Sequence, residues 1–579
     1  MKIGYFNQIL FIIKYHKISF LRLIILLMTS SALEIFGLGL VVPYVGLIIN
    51  PDIIHESKFF SFVNFFIESK DYNSTILYLG IFLLLIFFFR AIFSILLNKS
   101  ILTYCYNQGM KIKLNLMEIY LRLPFTDFYK KNKSEYLYHI NNLSQQFSSQ
   151  ILLSLVRIIC DGFIMVTIII FLSINYGFQL TIVVSIIISF LFFYDLIFKT
   201  KLTNYGKNIN TNSENLIRYI QEGLSGFKEI RILNKESFFI NHLKRSAQNF
   251  AIFNVKSRVI THAPRYLLDF IVIFSVFIMI VVSQYFNSIE LIDYVPLLSV
   301  FALAAIRIIP SANVILRGIN HIRFGKNTVK RIYNDMQSNS SNKINKIENY
   351  EPFNSLILEQ VYFKYPGQNK MIIENINIEI FSGQAIGIIG SSGAGKSTLL
   401  DLILGFLTPL KGNIKYNNLN LLKNLKVFQS QVAYLPQNIF LIDDTIRKNI
   451  TLDENISFED DKKILEALNQ AQLHEFIDTL PKGIDTNIGD SGAFISGGQS
   501  QRIAIARAIY QKKRILVLDE STNSLDKHTE ESILNQFSKI KKSITIIFVS
   551  HKLSSLKFCD KIYKIEKGKI KLVDRNIKM

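Results

Sequence analysis

Cysteine is scarce in this 579-residue chain, which has three. Cys105, Cys160 and Cys559 lie far apart and form no CxxC or metal-ligand spacing. Their odd number and wide separation argue against a disulfide framework. Acidic residues are few, 44 against 65 Lys and Arg, for a formal net charge of +21. Apolar runs of membrane-span length are absent after about residue 316, and no internal repeat is present. No small-residue cleavage site follows the first apolar run, which is too long for a cleavable signal and is expected to act as a signal anchor.

Half of the chain is hydrophobic, including 47 Phe. Runs that reach the roughly 20 residues needed to cross a bilayer lie near 19–49, 74–98, 151–173, 177–198, 266–285 and 292–316. Alternation puts the N-terminus, 99–150, 199–265 and the stretch after Arg317 on one side, and these are basic. The opposite segments, 50–73, 174–176 and 286–291, are neutral or acidic. This is a positive-inside pattern with both termini cytoplasmic, so the basic excess reports topology and nucleic acid is not expected as a partner. The polar stretch from Ser338 reads as a linker. The expected division is a membrane domain at 1–335, a linker at 336–354 and an α/β domain at 355–579.

The strongest chemical signal is QAIGIIGSSGAGKSTLLDLILG, from Gln384. An apolar strand runs into Gly390, Ser391, Ser392, Gly393, Ala394, Gly395, Lys396 and Ser397, then into a helix that opens with Thr398. This is a phosphate-binding loop in its strand–loop–helix context. Glycines let backbone N–H groups turn toward an anion, and the helix N-terminus adds its positive dipole end. Lys396 can reach the β- and γ-phosphates, and the Ser397 hydroxyl can ligate Mg²⁺. A second strand, RILVLDE, delivers Asp519 to the metal shell and Glu520 as general base for the attacking water.

Residues 355–565 resemble the ATP-binding-cassette family. The stretch FISGGQSQRIAIARAI looks like the family signature, with Ile495 where Leu is usual, followed by Ser496, Gly497, Gly498 and Gln499. By this resemblance, Tyr365 stacks on adenine and Gln437 links the Mg²⁺ site to the membrane domain. Ser524-Leu525-Asp526 crosses a dimer interface, His551 contacts the γ-phosphate, and TNIGDSG from Thr486 couples the cassette to membrane helices. The resemblance implies two membrane domains and two cassettes. With Glu520 and His551 both retained, a homodimer is the simplest assembly.

Six spans ahead of a cassette match the exporter architecture: a polytopic α-helical membrane domain followed by an α/β P-loop NTPase cassette. Segments 124–140 and 225–240 resemble the cytoplasmic helices that touch the cassette. Residues 51–71 carry an apolar stripe of Ile54, Phe59, Phe62, Val63 and Phe66, which suits an amphipathic helix at the outer interface. Arg90 and Arg307 lie roughly 22 Å into the second and sixth spans at about 1.5 Å per residue, and Arg265 opens the fifth after Pro264. Such arginines cost about 2.5–3.5 kcal/mol unless paired or facing a cavity. Two readings stand: pairing with Glu34, Asp161, Asp195 or Asp269, or contact with an anionic substrate.

The membrane half resembles the bacterial lipid-linked oligosaccharide flippases of the protein-glycosylation type, on EIFGLGLVVPYVGL at 34–47, APRYLLD at 263–269 and IRIIPSAN at 306–313. Where that branch often has a basic residue after PSAN, this chain has Val314, and the next Arg is Arg317. The implied activity is ATP- and Mg²⁺-dependent movement of a polyprenyl-pyrophosphate-linked oligosaccharide from the inner to the outer leaflet of the bacterial inner membrane. The arginines would hold the pyrophosphate, and the cassette would be cytoplasmic. An exporter of another amphiphile (lipid, drug or peptide) is the alternative.

Overall fold

The computed structural model describes residues 4–13, 25–29, a few positions between 32 and 48, 72–286, 294–337, 351–455, 458–520, 526–541 and 543–573. Side chains at 301–307 are not among those described. The amphipathic helix expected at 51–71, and Glu34, therefore lie outside the described residues. The chain separates into two compact units, Met1–Leu123 with Asp127–Lys343, and Pro124–Thr126 with Ile344–Met579.

The first unit is helical: α1 (Tyr5–Ile13), α2 (Tyr72–Leu121), α3 (Leu153–Ser225), α4 (Glu236–Phe286), α5 (Tyr294–Phe324) and α6 (Lys326–Gln337), with short and π-helical turns between α2 and α3. At 50 residues, α2 is about 75 Å long, more than twice a hydrocarbon core, so its polar C-terminal half continues beyond the membrane. Leu84 on α2 is 71% exposed and Ile273 on α4 is 72% exposed, each amid other outward Phe and Ile. Apolar faces of this extent suit lipid rather than water. Ile76–Leu121 and Lys133–Ile170 are, among the described residues, long and apolar enough to cross a bilayer. The turn expected at 174–176 is not seen: α3 is one 73-residue helix through it. That stretch has no proline, and Gly177 is the one weak helix former beside it.

Polar contacts hold the polar ends of these helices together. Gly206 of α3 meets the end of α5 so closely that a Cβ would sit 2.1 Å from the Phe324 carbonyl oxygen. The Tyr138 hydroxyl donates to Asn210 Oδ1 at 3.1 Å, Asn210 Nδ2 to Thr328 Oγ1 at 2.9 Å, and Thr328 Oγ1 to Gln146 Oε1 at 2.7 Å. A buried chain satisfied at every link favours one arrangement of its helices. Pro264 lies inside α4 and removes the N–H that the Ile260 carbonyl would otherwise accept. The Tyr194 hydroxyl of α3 donates to that carbonyl instead. Asp195, one of the acids expected near the membrane arginines, pairs with Arg323.

The second unit holds two sheets. Strands β1 (Ser355–Phe363), β2 (Ile373–Phe381), β4 (Lys411–Tyr416) and β5 (Leu419–Asn420) form one antiparallel sheet, in the order β2-β1-β4-β5. The other runs β10-β9-β3-β8-β7-β6, with β3 (Ala385–Ile389), β6 (Val432–Leu435), β7 (Ile515–Asp519), β8 (Thr545–Ser550), β9 (Lys561–Glu566) and β10 (Lys569–Val573). Strands β6, β7, β8, β3 and β9 are parallel. β7 and β8 are buried throughout, which is why AIGII, ILVLD and TIIFV read as unbroken apolar runs. Ligands bind such sheets at the carboxyl ends of the strands, where β3 and β7 end in the phosphate loop and in Asp519.

Candidate functional site

The loop after β3 turns through Gly393 at φ 76° and Gly395 at φ 105°, conformations that L side chains resist. Helix α7 (Lys396–Ile403) starts directly after it. A Cβ on Gly390 would lie 2.6 Å from the Ile565 carbonyl oxygen, so this position admits no side chain. Lys396 is buried, and its Nζ donates to the Gly390 and Ser391 carbonyls at 3.0 and 3.2 Å, inside its own loop. Ser397 is exposed at the helix start, while Thr398 is buried and shares a 3.1 Å hydrogen bond with the Tyr365 hydroxyl. Tyr365 packs edge-on against Phe363, with the centroids 5.1 Å apart.

Glu520 is the hub of the opposite wall. It follows β7 with φ 50°, left-handed for a non-glycine residue, and its N–H donates to the Val549 carbonyl at 3.0 Å. His551 Nε2 lies 2.6 Å from its carboxylate, Gln437 Nε2 donates to it at 3.1 Å, and Lys396 Nζ is 3.5 Å away. Strained residues of this kind concentrate at functional sites. Burial raises the Asp519 carboxyl above its ordinary range, helped by the Glu520 charge and opposed by Lys396. Asp401, one turn along α7 from Ser397, is pushed up to about 6 by burial and then by Asp519. Asp401 and Asp519 act on one another, as do Asp519 and Glu520, and together with the Ser397 hydroxyl these side chains are of the oxygen-donor type that Mg²⁺ takes.

Ser496 is the N-cap of α8 (Gly497–Tyr510). Its side chain accepts from the Gln499 N–H at 3.2 Å, and Gln499 Oε1 accepts from the Ser496 N–H at 2.8 Å. This capping box holds Ser496 and Gly497 on the surface with free helix N–H groups behind them, an arrangement that receives an anion from outside. Asp526 caps α9 (Lys527–Ile540), accepting from the Thr529 N–H at 2.9 Å. Its neighbours Ser524 and Leu525 lie outside the described residues. The structure thus gathers Lys396, Gln437 and His551 around the Glu520 carboxylate with Asp519 beside it, and, next to Asp519, adds Asp401, which sequence reasoning missed. Its signal was there: a carboxylate four residues after Ser397 lies on the same helix face.

Family profiles described as "ABC transporter" and "ABC transporter transmembrane region" match residues 373–523 and 56–307. The chain is 30% identical to an ATP-dependent lipid A-core flippase of Wigglesworthia glossinidia brevipalpis, over 80% of this chain and 79% of that protein. It is equally 30% identical to the multidrug resistance-like ATP-binding protein MdlA of Buchnera aphidicola, over 86% and 87%. A bacterial Atm1-family ABC exporter with ATP bound superposes with a TM-score of 0.80 at 19% identity, over 96% of this chain and 94% of that one.

This chain is an ABC exporter. It is a membrane-embedded, multi-pass transporter whose cassette binds nucleotide and couples ATP hydrolysis to transport.

The exporter's three membrane arginines have different surroundings. Arg90 is half-buried, with its guanidinium 5.6 Å from the Phe87 ring centroid. Arg307 is in α5, but its side chain lies outside the described residues. Arg265 is exposed and lines a 280 Å³ pocket between α4 and α5 with Thr261, His262, Asp269, Ile309, Pro310, Asn313 and Arg317. Among the described residues no carboxylate forms an ion pair with Arg265 or Arg317. Asp161 lies 3.5 Å from the Ser311 hydroxyl, so of the acids named as partners only Asp269 shares the pocket. Beyond the span, His321 is pushed down to about 4 by burial and then by the positive field of Arg317, His262 and Arg258.

Proposed function

We propose that this exporter is a flippase for a polyprenyl-pyrophosphate-linked oligosaccharide. It would act as a homodimer in the bacterial inner membrane, with its cassette in the cytoplasm and its domains divided at 1–335, 336–354 and 355–579. The observation that carries this reading is the basic pocket beside Pro310, where Arg265, Asp269, Ile309, Pro310 and Asn313 come from the two segments, 263–269 and 306–313, that resemble the oligosaccharide-flippase branch, and Arg317 adds a second guanidinium. Guanidinium forks suit phosphate oxygens, which they can bind bidentately. The homodimer is supported by an uncovered apolar tip at 227–240, where Phe227, Ile232, Leu233, Phe238 and Ile240 are each more than half exposed. A second reading, export of lipid A-core or another amphiphile, draws support from the names of the relatives.

In the cassette, the backbone of Gly390–Ser397 and Lys396 would bind the ATP phosphates, with Tyr365 beside the base. Mg²⁺, when bound, supplies charge neutralisation at the phosphates, and Ser397, Gln437 and Asp519 would hold it. Glu520 takes a proton from the attacking water, while His551 and Gln437 fix its carboxylate. Ser496, Gly497, Gly498, Gln499 and Asp526 would face nucleotide held by the second subunit. Reconstitution into liposomes with a fluorescent polyprenyl-pyrophosphate glycan tests the assignment. ATP-dependent loss of inner-leaflet label is expected, falling by about a hundredfold or more in Glu520→Gln. ATP hydrolysis with export of another amphiphile and no movement of the glycan lipid would sink it.

A further inference from the structure

His551 leaves the sheet at the end of β8 on a short surface segment. Residues 551–554 are exposed, and the chain is back in the core at Ser555 and Leu556. An exposed stretch of this kind opens easily unless other contacts restrain it. Yet His551 Nε2 is held 2.6 Å from the Glu520 carboxylate. Within the segment, the Lys552 N–H donates to the Ser550 hydroxyl at 3.0 Å, and the Leu556 N–H to the Leu553 carbonyl at 3.1 Å. These bonds shape the turn but do not tie it to the rest of the cassette.

Glu530 supplies that tie. It lies on α9, one turn beyond the Asp526 cap, on the helix face that carries the fully buried Ile533 and Phe537. It is 7% exposed, and a carboxylate buried beside apolar side chains is costly unless it is hydrogen-bonded and paired. Two of its partners come from the segment after His551. The Ser555 hydroxyl, itself buried, donates to it at 2.7 Å, and Lys552 Nζ lies 3.5 Å away. Lys552 is half exposed, so its ion pair contributes little alone and the Ser555 bond is the stronger hold. Helix α9 follows β7 and Glu520 in the chain, so Glu530 joins what comes after the acid to what comes after the imidazole. We propose that Glu530 is a positioning residue for ATP hydrolysis: through Ser555 and Lys552 it anchors the segment that carries His551, and so keeps the imidazole on the Glu520 carboxylate. It acts through His551 and not on the nucleotide. The inference rests on the role proposed above for His551, whereas the anchoring itself is defined by the contacts.

The test uses the full-length transporter in phosphatidylcholine nanodiscs. ATP hydrolysis is resolved into kcat and KM, and hydrogen exchange is followed by mass spectrometry over 551–559. Glu530→Leu keeps the side-chain bulk and removes the acceptor. Ser555→Ala breaks the same bond from the other side and guards against a folding defect in the first variant. Each should lower kcat by about tenfold or more, leave the KM for ATP within about twofold, and speed exchange over 551–559 but not over 385–389 of β3. Glu530→Gln keeps an acceptor for Ser555 and should recover most of the loss. In a His551→Ala background, Glu530→Leu should lower kcat by less than about twofold further, because the group it positions is gone. Where His551→Ala is impaired, an unchanged kcat in both Glu530→Leu and Ser555→Ala overturns the proposal. An equal loss with and without His551 also overturns it, by making Glu530 a general support of the cassette. Unchanged exchange over 551–559 overturns it as well. If His551→Ala keeps the parent's kcat while Glu530→Leu still speeds exchange, the role given to His551 fails and the anchoring of its segment by Glu530 stands.

Discussion

Replacing Asp335 with Asn should loosen the polar end of the helical unit. Asp335 sits on α6, is 8% exposed, and accepts from three donors: the Tyr120 hydroxyl at 2.5 Å, His139 Nδ1 at 2.6 Å and Lys131 Nζ at 2.7 Å. Burial alone would raise its carboxyl. The hydrogen bonds and charge of His139, with those of Lys131 and Tyr120, instead bring it down from 3.8 to about 2. That drop corresponds to about 2 kcal/mol of stability at pH 7. A depressed carboxylate stabilises fully above its unfolded value and loses the contribution as pH falls through its folded value, here between about pH 4 and pH 2. Removing one partner of a buried pair costs about 3–5 kcal/mol in general. Here Lys131 also has Glu135 at 3.5 Å, so a loss of about 2–3 kcal/mol is expected.

The chain has no Trp, but it offers a better reporter in Cys105, which is fully buried in the same core as Tyr120, Tyr136 and Met336. With Cys160 and Cys559 replaced by Ser, labelling of Cys105 by a maleimide at pH 7 reads local opening of that core. Asp335→Asn should speed labelling by about thirtyfold for 2 kcal/mol. In circular-dichroism melts, the gap between variant and parent should narrow below about pH 4. An unchanged labelling rate at pH 7, or a melting gap that persists undiminished to pH 2, would refute the assignment of stability to this carboxylate.

Two further substitutions test the helix contacts. Tyr194→Phe strips the donor from the Ile260 carbonyl that Pro264 leaves free, and should cost about 1–3 kcal/mol, read as a lower melting temperature in detergent; no change would show that the carbonyl finds another partner. Gly206→Val should destabilise by about 1–3 kcal/mol or more, because its Cβ would start 2.1 Å from the Phe324 oxygen. Gly223→Val on the same helix, where the nearest atom is the Phe239 ring at 3.9 Å, should show a much smaller loss, and equal losses would contradict the close approach.

The cassette was far more legible in the sequence than the membrane unit, for a physical reason. Phosphate binding fixes backbone conformation and residue type over adjacent positions, so Gly390–Ser397 and Ser496–Gln499 announce themselves locally. What joins the catalytic wall is long-range. Gln437 reaches Glu520 across 83 positions, and neither spacing nor composition records that bond. The membrane arginines were visible as oddities, and of the acids named as their partners Asp269 shares the pocket of Arg265. Asp195 looked available, yet it pairs with Arg323, 128 positions away. The convergence of Arg265 with Arg317 depends on how α4 meets α5, which apolar periodicity leaves undetermined.

The backbone of Glu520 is held in place by contacts from several separate elements. A left-handed non-glycine backbone costs of order 1–3 kcal/mol and persists only where its surroundings over-determine it. Its restraints come from separate elements: the Val549 carbonyl on β8 with His551 just beyond it, Gln437 after β6, and Lys396 at the start of α7. Lys396 also donates to the Gly390 and Ser391 carbonyls of its own loop, so it ties the phosphate loop to the Glu520 carboxylate. In the hydrolysis proposed above, His551 and Gln437 would be the groups that orient that carboxylate. Because Gln437 is anchored after β6 and His551 after β8, a shift of either strand end is felt directly at the Glu520 carboxylate.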